Sequence, residues 1–164
     1  MNYCEAVEAM HRLELLRRIQ ARSLMTDSGL HPGQPRLLEY IREHPGCTQK
    51  EAADEMDVTP ASAAASLKRL EKAGYVIRRP DEKDARRNQL FLTEEGEEKI
   101  RANREMFDAL DQKMFAGFSE EEVLRFRLTC EKMFENLADE SCRHLTIWKL
   151  SQRARKQEEE EKGK

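Results

Sequence analysis

The stretch "TQKEAADEMDVTPASAAASLKRLEKAGYV", residues 48–76, contains two helix starts set close together. Thr48 with Glu51 three residues on is a capping box, in which each side chain satisfies a backbone N–H that the helix start leaves without a partner. Thr59 can cap in the same way, and Pro60 falls at the first helical position, where its missing N–H costs nothing. The first helix is therefore short, ending near Met56, and Asp57 and Val58 form a tight link. Gly74, after Lys72 and Ala73, terminates the second helix in the left-handed conformation that glycine adopts most easily. Leu67 and Leu70 face a core, with Val58, Val76, Leu90 and Leu92 as their expected company. Four of the seven residues from Ala61 to Leu67 are alanine, so no long side chain stands in the first turns of this helix.

Two strand-like segments follow, "YVIRR" at 75–79 and "NQLFLT" at 88–93, with "PDEKDARR" between them. Leu90 and Leu92 alternate with Gln89 and Phe91, which predicts a hairpin with one buried face and a polar, basic tip. From Thr59 to Thr93 there are eight basic residues (Lys68, Arg69, Lys72, Arg78, Arg79, Lys83, Arg86, Arg87) and four acids, or +4 in a chain whose net charge is −3. A local basic surface, rather than the overall charge, decides whether a polyanion can bind. Short helix, tight turn, second helix and basic hairpin make the order of a winged helix-turn-helix. In such a domain the second helix enters the major groove of DNA and the hairpin tip can reach the minor groove.

Long amphipathic helices are predicted on both sides. Over residues 5–25, Val7, Met10, Leu13, Leu16 and Ile19 recur every three residues, and "DSGLHPGQP" at 27–35 breaks the pattern. A shorter helix over 35–43 carries Leu37, Leu38, Tyr40 and Ile41. Thr93 caps a further helix with Glu94 and Glu95 in its first turn, where the helix dipole favours acids. After Gly117, the capping box Ser119 and Glu122 opens a helix with Val123, Phe126, Cys130, Met133, Phe134 and Leu137 on one face. So much one-sided apolar surface at both ends exceeds what a small central domain covers, and self-association is its outlet. Leu145, Ile147, Trp148 and Leu150 could form one more amphipathic segment, while the charged run at 151–164 reads as a solvated tail. The expected fold is mainly α with a small β-hairpin wing. Residues 1–30 and 94–150 are assigned to helical dimerisation and residues 33–93 to the winged helix-turn-helix.

The segments "RLEKAGYVIRR", "DEKDARR" and "LTEEG", in this order and spacing, resemble the MarR (multiple antibiotic resistance regulator) family of bacterial transcription factors. The resemblance covers residues 48–96 closely. It implies a homodimer on double-stranded DNA, and Arg86 of the wing-tip Asp84-Ala85-Arg86 entering the minor groove with Asp84 holding the turn. It also places Thr59, Ala61, Ser62, Ala65 and Ser66 near the major groove. Lys68, Arg69, Lys72, Arg78, Arg79 and Lys83 are candidates for phosphate neutralisation, Lys72 the least of them, and Arg87 adds to the DNA-binding charge of the wing beside Arg86. Many family members carry Arg, Ser or Thr where this chain has Ala64 and Ala65, which leaves Ser62 and Ser66 as the main hydrogen-bonding side chains there. The alanines can pack on thymine methyls, or serve only as good helix formers that let the backbone approach closely. No long bidentate side chain stands in these turns to select guanine, so an A·T-rich operator read through shape and Arg86 is expected.

The resemblance further implies release by an effector, in the family a small phenolic ligand, an oxidant or a metal, and nothing in the spacing names one. Cys4, Cys47, Cys130 and Cys142 show no CxxC pairing, and Cys4 has no basic neighbour in its next turn to activate it. The four histidines have no metal-ligand spacing, so no metal and no cofactor are expected. No catalytic triad, phosphate loop or paired carboxylate site is present, which argues against an enzyme. No apolar run approaches a membrane span and residues 1–24 do not read as a secretory signal, so a cytoplasmic protein is expected. A winged helix that binds protein rather than DNA is the competing class, although it leaves the central basic cluster without a purpose.

Overall fold

The computed structural model describes residues 2–81 and 87–162. In chain order the elements are α1 (Cys4–Ser28), α2 (Gln34–Glu43), β1 (Cys47–Thr48), α3 (Gln49–Glu55), α4 (Pro60–Lys72), β2 (Val76–Pro80), β3 (Asn88–Leu92), α5 (Glu94–Met114), α6 (Glu120–Leu137) and α7 (Ile147–Lys162). Contacts group them into two units, Met1–Met114 and Phe115–Lys164. Among the described residues no helix is long and apolar enough to cross a membrane.

The local signals in the central stretch produce the structure they predict. The Glu51 carboxylate accepts from the Thr48 backbone N–H at 2.7 Å and from its hydroxyl at 2.9 Å, and Thr48 Oγ1 accepts from the Glu51 N–H at 3.2 Å. Thr59 Oγ1 accepts from the Ser62 N–H at 3.1 Å and so caps α4. Between the two helices Asp57 takes a positive φ of 49°, a conformation aspartate tolerates better than most side chains. At the end of α4, Gly74 has φ 79°, its N–H donates to the Glu71 carbonyl at 3.0 Å, and the Tyr75 N–H donates to the Leu70 carbonyl at 3.0 Å. This paired arrangement satisfies the last helical carbonyls.

The expected hairpin forms, and a short third strand extends it. β2 and β3 pair antiparallel from Val76↔Leu92 to Pro80↔Asn88, and β1 adds a third strand on the far edge of β3 through Cys47↔Leu90 and Thr48↔Gln89. A two-residue strand offers no alternation to read in the sequence. The core lies between this sheet and the helices, with Leu38, Ile41, Leu67 and Leu90 fully buried and Leu70 and Val76 nearly so. Val58 and Leu92, expected in that core, are half-buried at its margin.

Thr93 and Gly96 lock the domain to α5. Thr93 Oγ1 donates to the Gly74 carbonyl at 2.6 Å and accepts from the Gly96 N–H at 3.0 Å, while the Thr93 N–H donates to the Tyr75 carbonyl at 3.1 Å. A Cβ on Gly96 would lie 2.2 Å from that Tyr75 carbonyl oxygen, so only glycine permits the approach. The "LTEEG" segment is thus a junction joining the end of α4, the inner strand and the start of α5.

Within the first unit, α5 also grips α2 and α1. Arg104 forks onto Glu39 through Nε at 2.6 Å and Nη2 at 2.5 Å, and Arg17 pairs with Asp111 at 2.9 Å. In the second unit Ser119 and Glu122 form the predicted capping box of α6, and Phe115 packs edge-on against Phe118 and Phe126. The segment with Ile147, Trp148 and Leu150 is helical, and the helix continues through the charged run that was expected to trail as a tail. Its charged residues are nonetheless mostly solvent-exposed.

Candidate nucleic-acid interface

Three buried residues fix the rotation of α4. Ala63, Leu67 and Leu70, at the spacing of one helical stripe, are inserted into the core. The opposite face, with Ala61, Ser62, Ala65, Lys68 and Arg69, is open to solvent, as is the cap Thr59. Ser66 lies on the flank, half-buried, and Gln34 at the start of α2 approaches its carbonyl with Nε2 at 3.5 Å. Gln34 is only 3% exposed, and its Oε1 accepts from the His31 N–H at 2.8 Å, so this polar side chain braces α4 from behind. Of the five residues expected near a groove, four stand open on this face and Ser66 is recessed at its edge.

The cap also organises the first polar group on that face. Thr59 Oγ1 donates to Ser62 Oγ at 2.9 Å while accepting the Ser62 N–H. Ser62 therefore holds its oxygen in a fixed place and keeps its own proton for an outside acceptor.

The wing begins where the strands part, with the Asp81 N–H donating to the Arg87 carbonyl at 2.9 Å and Gln89 Nε2 donating to Asp81 Oδ2 at 2.8 Å. Lys83, Asp84 and Arg86, expected at the tip, lie outside the described residues. Arg78 is engaged within the protein: Nε pairs with Glu71 of α4 and Nη2 donates to Gln49 Oε1 of α3 at 3.1 Å. Arg79 stacks over the Phe91 ring, 4.9 Å from its centroid. Arg87 is exposed and lines a cleft of about 580 Å³ with Arg78, Gln49, Lys50 and Asn88, beside the acids Glu51 and Asp54. Gln49, Lys50 and Asn88 were not singled out in the sequence. The two-residue strand β1 carries the start of α3 to the base of the wing, and that pairing leaves no periodic signal.

Glu51 and Cys47, beside this cleft, are each shifted away from neutral pH. Glu51 is held below the usual carboxylate range, first by the Thr48 backbone N–H and then by its hydroxyl, with lesser help from Arg87 and His44. Cys47 is buried, and desolvation together with the Glu51 charge raises its pKa to about 11, so it stays a protonated thiol. All four cysteines are free, and Cys4 and Cys130 are exposed.

The sequence profile described as the MarR family matches residues 28–87, from the end of α1 to the base of the wing. BilQ, an HTH-type transcriptional regulator of Clostridium symbiosum strain WAL-14163, is 33% identical over 112 residues, which is 68% of this chain and 78% of BilQ. The chain belongs to the MarR family. As a MarR-family protein it is a DNA-binding transcription regulator and not an enzyme. The transcriptional repressor MdtR of Bacillus subtilis strain 168 is 30% identical over 116 residues, covering 68% of this MarR chain and 73% of MdtR. In the crystal structure of the Staphylococcus aureus MepR–DNA complex, MepR superposes with a TM-score of 0.68 at 25% identity, covering 78% of this chain and 96% of MepR.

Proposed function

We propose that this protein acts in the cytoplasm as a homodimeric repressor that occludes a promoter by binding a palindromic operator, and that a small-molecule effector releases it. The observation that carries the reading is the solvent face of α4. It is braced from behind by Gln34 and the core leucines, studded with Lys68 and Arg69, and set beside a wing whose base carries Arg87.

In this reading residues 33–93 engage the duplex and residues 1–30 and 94–150 join the two copies. α4 lies in the major groove with Thr59, Ala61, Ser62, Ala65 and Ser66 toward the bases, while Lys68, Arg69, Lys83 and Arg87 neutralise phosphates. Arg78 joins them by exchanging Glu71 for a phosphate. Arg86 enters the minor groove and Asp84 orients it. The exposed apolar residues of α1 and α6, among them Leu16, Ile19, Phe126 and Leu137, are covered in the dimer. Two-fold symmetry then sets the reading helices about one DNA turn, roughly 34 Å, apart. That MepR has been crystallised with DNA and MdtR is a repressor supports DNA binding and repression.

Titration of a promoter duplex at about 50 and about 200 mM salt tests the DNA contact, because each neutralised phosphate steepens the salt dependence. A steep loss is expected, and salt-insensitive or absent binding would point instead to a protein-binding winged helix. Arg86→Ala should weaken operator binding by about 1–3 kcal/mol. An unchanged affinity would return Arg86 to a solvated loop charge.

A further inference from the structure

We infer that α4 selects A·T pairs by packing the methyl groups of Ala61 and Ala65 against thymine C5-methyls in the major groove. The inference rests on the DNA-binding reading above, which family membership supports independently of these alanines, and it specifies what that surface reads.

The rotation of α4 makes these two residues foremost. At about 100° per residue, Ala65 lies roughly 200° around the helix from buried Ala63 and Ala61 roughly 160°, so both project away from the core. Both are exposed. The side chains level with them are short, Ser62 being tethered at 2.9 Å to Thr59 and Ser66 half-buried on the flank, while the longer Lys68 and Arg69 follow one turn on, where the reading above turns them to phosphates. The backbone can therefore approach the base edges until the two methyls make contact.

Base chemistry then narrows what they can touch. On the major-groove edge only thymine carries a methyl group, whereas guanine is read by a forked Arg or Lys and cytosine by a carboxylate. Thr59, Ala61, Ser62 and Ala65 supply neither of the latter. Residues four apart on a helix have Cβ atoms about 5–6 Å from each other. Successive bases on a strand are about 3.4 Å apart along the axis. The pair therefore spans thymines one or two steps apart.

The test uses the full-length protein and duplexes it enriches from a random pool. Each half-site thymine is replaced in turn by deoxyuridine, which deletes the methyl and leaves the hydrogen-bonding edge unchanged. At one or two positions per half-site, binding should weaken by about fourfold for each methyl removed. In Ala65→Gly the preference for thymine over uracil at one of those positions should vanish. Because that preference is a ratio measured within each variant, a weaker helix in Ala65→Gly cancels out. Equal affinity for thymine and uracil at every half-site position would overturn the inference while leaving DNA binding intact. A preference that survives in both Ala65→Gly and Ala61→Gly would likewise overturn it. A pool that yields no enriched duplex would remove the DNA-binding reading itself and this inference with it.

Discussion

The winged helix and the terminal helices are amphipathic in the same way, yet they differ in where their apolar faces end up. In the winged helix Leu38, Ile41, Leu67 and Leu90 are all 0% exposed, so the chain covers them itself. In α1, Leu16 and Ile19 stay 57% and 64% exposed, and Leu137 at the end of α6 reaches 88%. α1 meets α5 along an apolar groove of about 280 Å³ between Leu13, Leu16, Leu110 and Met114. A stripe of apolar residues thus reports a face that needs a partner, and it does not say whether that partner lies in the same chain. Equivalent truncations in the two regions should therefore fail in different ways.

The largest effect is expected where the chain closes its own core. Leu67→Ala removes a side chain with no exposure and should cost about 3–5 kcal/mol of folding stability, read from urea unfolding. A loss below about 1 kcal/mol would mean that Leu67 does not anchor α4. Gly96→Ala is next. Its Cβ would meet the Tyr75 carbonyl oxygen at 2.2 Å, which is backbone and cannot swing aside, and overpacking of this kind costs about 2–3 kcal/mol. Thermal melts would show it, and a melting temperature equal to that of the parent would sink the junction argument.

Most of this was legible because the signals are local. The capping boxes at Thr48 and Ser119, the cap at Thr59 and the terminator Gly74 depend on residues three or four positions apart, and each sits in the structure as its spacing predicts. What the spacing left out depends on distant partners. β1 exists only because Cys47 and Thr48 find Leu90 and Gln89. Gln34 approaches the Ser66 carbonyl and Arg78 engages Glu71 and Gln49, contacts that no charge count reveals. The run at 151–164 reads as polar because it is, and helix formation in its first twelve residues does not require burial.

A truncation in the open region should act through association. Leu16→Ala removes a side chain that is more than half exposed in the single chain, so chemical unfolding of the winged helix should be little changed. If a second copy covers this face, the dimer should weaken by about 1–2 kcal/mol for each copy's leucine, the scale of burying that side chain. Sedimentation over a range of concentrations reads the shift directly, and a dimer of unchanged affinity would move the interface away from this part of α1.

The smallest effect tests whether the cap at the start of α3 contributes to the closed region at all. Glu51 is held below the ordinary glutamate value of 4.5 because it accepts from Thr48 twice, so the folded state prefers it ionised. The sign follows: this stabilisation is fully present above that ordinary value and is lost as pH falls through the lowered folded-state pKa. Glu51 is exposed, and solvent screening limits the contribution to a few tenths of a kcal/mol. Glu51→Gln keeps an acceptor for the Thr48 N–H but cannot titrate. Its stability deficit at neutral pH should shrink steadily as both proteins are acidified from about pH 6 to about pH 3. A deficit constant across that range would show that the charge adds nothing to the cap, leaving the neutral hydrogen bonds to start the helix alone.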